Sequence, residues 1–156
     1  LCGSGLQAIV SAAQSVLLGD ADIAVAGGAE NMSRAPYTMP AARFGQRMGD
    51  ATIVDMMLGA LHHSFQSLHM GVTAENVAAR YGITREAQHA LALESHRRAS
   101  HASRAGYFKT QILPIEIGSK KGTVLFDSDE HVRHDASAED FSKLRPVFAK
   151  ENGTVT

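Results

Sequence analysis

Residues 6–28, LQAIVSAAQSVLLGDADIAVAGG, carry two different hydrophobic periods. Leu6, Ile9, Val10, Ala13 and Leu17 recur at helical spacing, with Gln7, Ser11 and Gln14 between them. Gly19-Asp20 then ends the helix. Residues Asp22 to Gly28 hold a continuous apolar run, the pattern of a strand covered on both faces in a parallel or mixed sheet. The glycines at its end permit a close backbone approach or an unusual turn. Helix, short turn and buried strand in succession are a piece of a layered α/β sheet. One strand without neighbours is not a whole sheet.

Downstream the texture changes. Asn31 to Asp50 mixes prolines, glycines, methionines and arginines and reads as an excursion loop. Thr52 to Leu61 predicts a short helix, with Ile53, Met56, Met57 and Ala60 on one side. Thr73 is expected to cap a helix that runs through Tyr81 and stops at Gly82. Thr84 is expected to cap the next, Arg85 to Ala105, which Gly106 ends. Ile112 to Ile117 and Thr123 to Phe126 predict two strands joined by Gly118-Ser-Lys-Lys-Gly122, a hairpin turn in preference to a phosphate loop. Ser128 to Lys150 is polar, with one more short helix.

With 15 basic and 16 acidic residues in 156, net charge −1, no footprint for nucleic acid or an anionic membrane stands out. The apolar fraction of 44% is that of a globular chain, and no run reaches the length of a membrane span. A single cysteine excludes an internal disulfide and suits a reducing compartment, so a cytoplasmic location is expected.

That cysteine, Cys2, stands before Gly3-Ser4-Gly5 at the mouth of the first helix. A helix N-terminus presents unpaired N–H groups and partial positive charge, which favour a thiolate. Gly3 and Gly5 leave room for an incoming acyl group, and the N–H groups there suit an oxyanion. The competing reading is a small core cysteine. His62, His63 and His69 lie close in sequence, and His131 and His134 have i, i+3 spacing. Neither group has the ligand set of a structural zinc site, so no metal is expected. Arg97, Arg98 and Arg104 read as a solvated helix end.

Several blocks resemble the thiolases, the acetyl-CoA acetyltransferase and 3-ketoacyl-CoA thiolase family. They are Leu1-Cys-Gly-Ser-Gly-Leu-Gln-Ala8, Ala26-Gly-Gly-Ala-Glu-Asn-Met-Ser33, His69-Met-Gly-Val-Thr-Ala-Glu-Asn-Val-Ala78, Lys143-Leu-Arg-Pro-Val-Phe148 and Asn152-Gly-Thr-Val-Thr156. The resemblance spans the whole chain in one order. It implies an α/β fold that is a fragment of the layered αβαβα thiolase fold. Residues 1–31 would be the end of the N-terminal core, and 32–156 a CoA-binding and tetramerisation loop domain, incomplete at its C-terminus.

The implied activity is acyl transfer. It condenses two acetyl-CoA or cleaves a short 3-ketoacyl-CoA with CoA, through an acyl-cysteine. The resemblance gives Cys2 the nucleophile's role and puts His69, Met70 and Leu61 along the acyl and pantetheine part of the substrate. Arg133 falls at its nucleotide end, and residues from about Thr38 to Asp55 form the loop that ties dimers into tetramers. It implies no cofactor beyond the coenzyme A thioester as substrate, and homodimers or homotetramers without nucleic acid or membrane partners. The Gly-His-Pro type motif and the second cysteine of such enzymes are not in this sequence. The chain is therefore expected to be a fragment, inactive by itself and poor at folding alone. A longer-chain 3-ketoacyl-CoA thiolase and a non-catalytic acyl-CoA-binding or assembly module are the alternatives.

Overall fold

A computed structural model describes residues 2–156. The chain forms two compact units, Leu1–His69 and Met70–Thr156.

In the first unit, helix α1 spans Ser4–Leu17. It ends as Gly19-Asp20 predict. Gly19 takes φ +78°, its N–H donates to Val16 O, and the Asp20 N–H donates to Ser15 O. These two bonds close the last turn in the Schellman manner. The predicted apolar stripe exists but has no cover, with Leu6 69% and Leu17 85% exposed. The strand expected over Asp22 to Gly28 does not form. The segment pairs with no described residue, and Val25 is 96% exposed. A buried strand needs ladder partners and covering layers, and this unit supplies neither.

The excursion loop carries short structure of its own. A 3₁₀ turn, Met32–Arg34, precedes strand β1, Tyr37–Thr38, and a second turn, Pro40–Phe44, follows it. Strand β2, Val54–Asp55, pairs antiparallel with β1, Tyr37 opposite Asp55 and Thr38 opposite Val54. The helix predicted from Thr52 begins only after this strand, as α2, Met56–Ala60. Asp55 sets its start, its carboxylate accepting from the Met57 N–H at 2.9 Å.

The second unit is built on two helices. Helix α3 spans Met70–Tyr81, so Thr73 lies inside it and does not cap it. Helix α4 spans Arg85–Arg104 and starts as predicted, the Thr84 hydroxyl accepting from the Ala87 N–H at 3.2 Å. Gly82 at φ +63° and Gly106 at φ +76° end the two helices; Gly106 repeats both bonds seen at Gly19, and after Gly82 the Ile83 N–H donates to Ala78 O at 2.9 Å. Strands β3, Ile115–Ser119, and β4, Gly122–Phe126, form the hairpin, with Lys120-Lys121 at its tip and Ile115 opposite Phe126. Helix α5, Ala138–Ser142, opens on a reciprocal cap between Ser137 and Asp140. His131 and His134 lie outside any helix, so their i, i+3 spacing has no helical meaning.

Among the described residues only Ala78 and Ser100 are buried. None of its helices is long and apolar enough to cross a membrane among the described residues.

Candidate functional site

Cys2 is exposed and free, one residue before the N-cap of α1. Gly3 occupies the cap and has no side chain to satisfy the N–H groups of the first turn. A Cβ built on Gly3 or Gly5 would meet nothing within 4 Å. The thiol therefore stands beside the unsatisfied backbone donors of the first turn, which suit an incoming thioester carbonyl.

Leu61 and His69 lie at the two ends of one small loop. His62 and His69 form an antiparallel bridge, and their rings meet edge-on at 5.4 Å between centroids. The His62 Nδ1–H donates to Leu58 O at 2.6 Å, which fixes its tautomer, because a carbonyl only accepts. Leu61 is 37% exposed and His69 partly buried. Met70 opens α3 in the second unit, 42% exposed, and its neighbour Gly71 lies so tightly under the Phe148 ring that a Cβ would run into it.

Arg133 lines a cleft of about 700 Å³ in the second unit, between α4 and residues 131–144. Its backbone N–H donates to His96 Nδ1 at 3.2 Å. His134 Nδ1 sits 2.9 Å from the hydroxyl of buried Ser100. His89 also lines the cleft, its ring against Phe141, and its buried Nε2 has no hydrogen-bond partner. The walls combine Arg133 and several imidazoles with the Phe141 ring and with two carboxylates, Asp135 and Asp140. Among the described residues no group of three or more His, Cys, Asp or Glu could hold a metal ion.

The sequence model of the family described as Thiolase, N-terminal domain, matches residues 1–156. The chain belongs to the thiolase family. It is 70% identical over 156 residues to beta-ketothiolase BktB of Cupriavidus necator, and 52% identical over 158 residues to an acetyl-CoA acetyltransferase of Chromobacterium violaceum. Each match covers all of this chain and 40% of the relative. A crystal structure of human mitochondrial 3-ketoacyl-CoA thiolase superposes with a TM-score of 0.92 at 41% identity, over 100% of this chain and 40% of that one. The chain thus spans about 40% of the length of the curated relatives it matches, and its α/β architecture is part of the thiolase fold.

Within this thiolase chain, two of the blocks that carried the resemblance meet in the second unit. The Glu75 carboxylate accepts from the Thr154 N–H at 2.9 and 3.0 Å, from the Thr154 hydroxyl at 2.8 Å and from the Val155 N–H at 2.9 Å. Gln88 donates to the same hydroxyl at 2.9 Å. The Val155 N–H is the main reason the Glu75 carboxyl sits below its ordinary range, with Thr154 adding to it and desolvation opposing. Sequence reasoning missed this clasp. Its signal was present, because Glu75 and Thr154 each lie inside a block that the resemblance singles out.

Proposed function

We propose that the protein carrying this chain is an acyltransferase of the thiolase type, acting on short acyl-CoA through an acyl-cysteine at Cys2. The observation that carries the reading is the exposed Cys2 thiol at the uncapped N-terminus of α1, with open space at Gly3 and Gly5. The thiolate attacks the thioester carbonyl and expels the thiolate of CoA. Because attacking and leaving groups are both thiolates, the exchange is nearly balanced. A second acetyl-CoA, having lost an α-proton to a base, then attacks the acyl-cysteine carbonyl and expels the Cys2 thiolate, and the reverse direction cleaves a 3-ketoacyl-CoA. Coenzyme A thioesters are the substrates, and no resident cofactor enters these steps.

Leu61, His69 and Met70 line the acyl and pantetheine part of the substrate, and Arg133 takes the nucleotide end in the cleft beside α4. The short-chain preference rests on the beta-ketothiolase and acetyl-CoA acetyltransferase names of the relatives. A homodimer or homotetramer is part of the proposal, as the resemblance of the sequence blocks to the thiolases implies. Residues 38–55 are its tetramer loop, an assignment favoured by the β1–β2 pairing that closes this segment at its base. The fold likeness to a 3-ketoacyl-CoA thiolase favours a second reading, a longer acyl chain.

The test is the intact mass of the full-length protein after brief exposure to acetyl-CoA, beside a Cys2→Ser variant. One acetyl group that maps to Cys2 and vanishes in the variant is the expected result. Binding of CoA without an adduct would overturn it and leave an acyl-CoA-binding protein. Rates across acyl-chain length then separate the short-chain from the longer-chain reading.

A further inference from the structure

The loop between Leu61 and His69 has almost no core to hold it. Phe65 is 93% exposed, and Gln66 and Ser67 are exposed as well. Ser67 takes φ +53°, a left-handed conformation that a side chain adopts at a cost. Something other than apolar burial must keep this shape. Four hydrogen bonds do so, and one residue takes part in all of them. The His63 N–H donates to Leu68 O at 2.7 Å, and its carbonyl accepts from the Ser67 N–H at 2.8 Å. Its ring Nδ1 accepts from the Phe65 N–H at 3.3 Å and from the Gln66 N–H at 3.2 Å.

A ring nitrogen that accepts two amide protons carries none itself, so the His63 proton sits on Nε2. The side chain thereby does what Asp or Asn does in a turn closed by a side-chain acceptor. Directly beyond the closed loop lies the His62–His69 bridge, with Leu61 one residue before it. Opening the turn at Phe65 and Gln66 frees Ser67 to leave its strained conformation and lets the two ends of the loop shift.

We propose that His63 is a positioning residue, whose Nδ1 holds residues 63–68 in the closed form that presents Leu61 and His69 to the acyl-CoA. It rests on the function proposed above, because the substrate's path along Leu61 and His69 comes from that reading. Nothing in the role asks His63 to touch substrate. Its work is done on backbone amides, so another short acceptor replaces it and an apolar side chain does not.

The test uses the full-length protein with His63→Ala and His63→Asp, followed by amide exchange in peptides covering 61–70 and by steady-state kinetics with acetyl-CoA. The Ala variant is expected to exchange faster at Phe65 and Gln66, by about tenfold. Its KM for acetyl-CoA rises several-fold while kcat and the alkylation rate of Cys2 stay unchanged. The Asp variant, which accepts the same two N–H groups, restores both exchange and KM. Unchanged exchange in the Ala variant overturns the loop-closing role. Faster exchange with an unchanged KM, or an Asp variant that fails to restore it, overturns the positioning role. Absence of an acetyl adduct on Cys2 in the unaltered protein overturns the thiolase reading and the substrate role of His63 with it. The exchange comparison still reads the loop closure separately.

Discussion

Two glycines of the second unit sit in surroundings opposite to those of the glycines beside Cys2 and at the end of the apolar run. In the second unit, Gly71 lies under the Phe148 ring, and a Cβ on Gly153 would stand 2.5 Å from Ala149 O and 2.6 Å from Pro146 Cβ. In the first unit, Gly3, Gly5, Gly27 and Gly28 have nothing within 4 Å of where a Cβ would go. The backbone follows the same division. The N–H groups of Thr154 and Val155 reach the Glu75 carboxylate across 79 and 80 residues of sequence, whereas the apolar run around Val25 meets no strand partner among the described residues. A crowded glycine records a contact already made within the unit. An open glycine beside a reactive thiol or an exposed apolar run records space that these residues do not fill.

The comparison breaks most readily at Glu75. Replacing it with Ala is expected to free Thr154 and Val155, and amide exchange at those two positions rises by on the order of tenfold or more. The same clasp gives a pH test. Glu75 has a folded-state carboxyl below its ordinary value of 4.5, held there first by the Val155 N–H. Its stabilising effect is therefore full above the ordinary value and is lost as pH falls through the lower folded value. Exchange at Thr154 and Val155 is expected to stay slow through mild acid and to rise only below that range. A rise already complete at pH 6 would show that another group controls the segment.

Gly153→Ala tests the crowded side directly. The added methyl must displace the Ala149 carbonyl or the Pro146 ring, an overpacking cost of about 1–3 kcal/mol. A lowered denaturant midpoint in the full-length protein reads it. A midpoint equal to the unaltered protein would mean that the 146–153 turn yields without cost. Thr84→Ala has a smaller expected effect, about 1 kcal/mol, because it removes the hydroxyl that accepts from the Ala87 N–H and that also hydrogen-bonds the Glu86 carboxylate.

What sequence could show divides along the same line. The stops at Gly19, Gly82 and Gly106 and the cap at Thr84 were legible because each depends on one residue and its near neighbours. The strand at Asp22 to Gly28 was read from its apolar run, but a strand is a property of its partners, and no described residue supplies one. A cap at Thr73 would start α3 at Ala74, four residues late, because the preceding Met70-Gly71-Val72 carries no capping side chain. Cys2 stood out as a lone thiol before a helix. Glu75 did not, because its role exists only once residues 154 and 155 fold back onto it. In sequence His63 is one of several neighbouring histidines, a pattern that points to metal, while its observed use is to accept backbone N–H groups.

Gly5→Ala carries the smallest expected stability effect and sharpens the comparison most. Gly5 lies in the first turn of α1, where Ala is the better helix former, and no atom stands within 4 Å of the new methyl. If stability alone mattered, the variant would gain up to about 1 kcal/mol and lose nothing. If the space is kept for an acyl group arriving at Cys2, the same methyl slows acetylation of the thiol while leaving its reaction with a small alkylating agent intact. Slower acetylation with unchanged alkylation would tie the open glycine to the substrate. Equal rates of both would mean that the space at Gly5 serves no reaction of Cys2, and that the absence of a side chain there reflects only what the rest of the fold does not require.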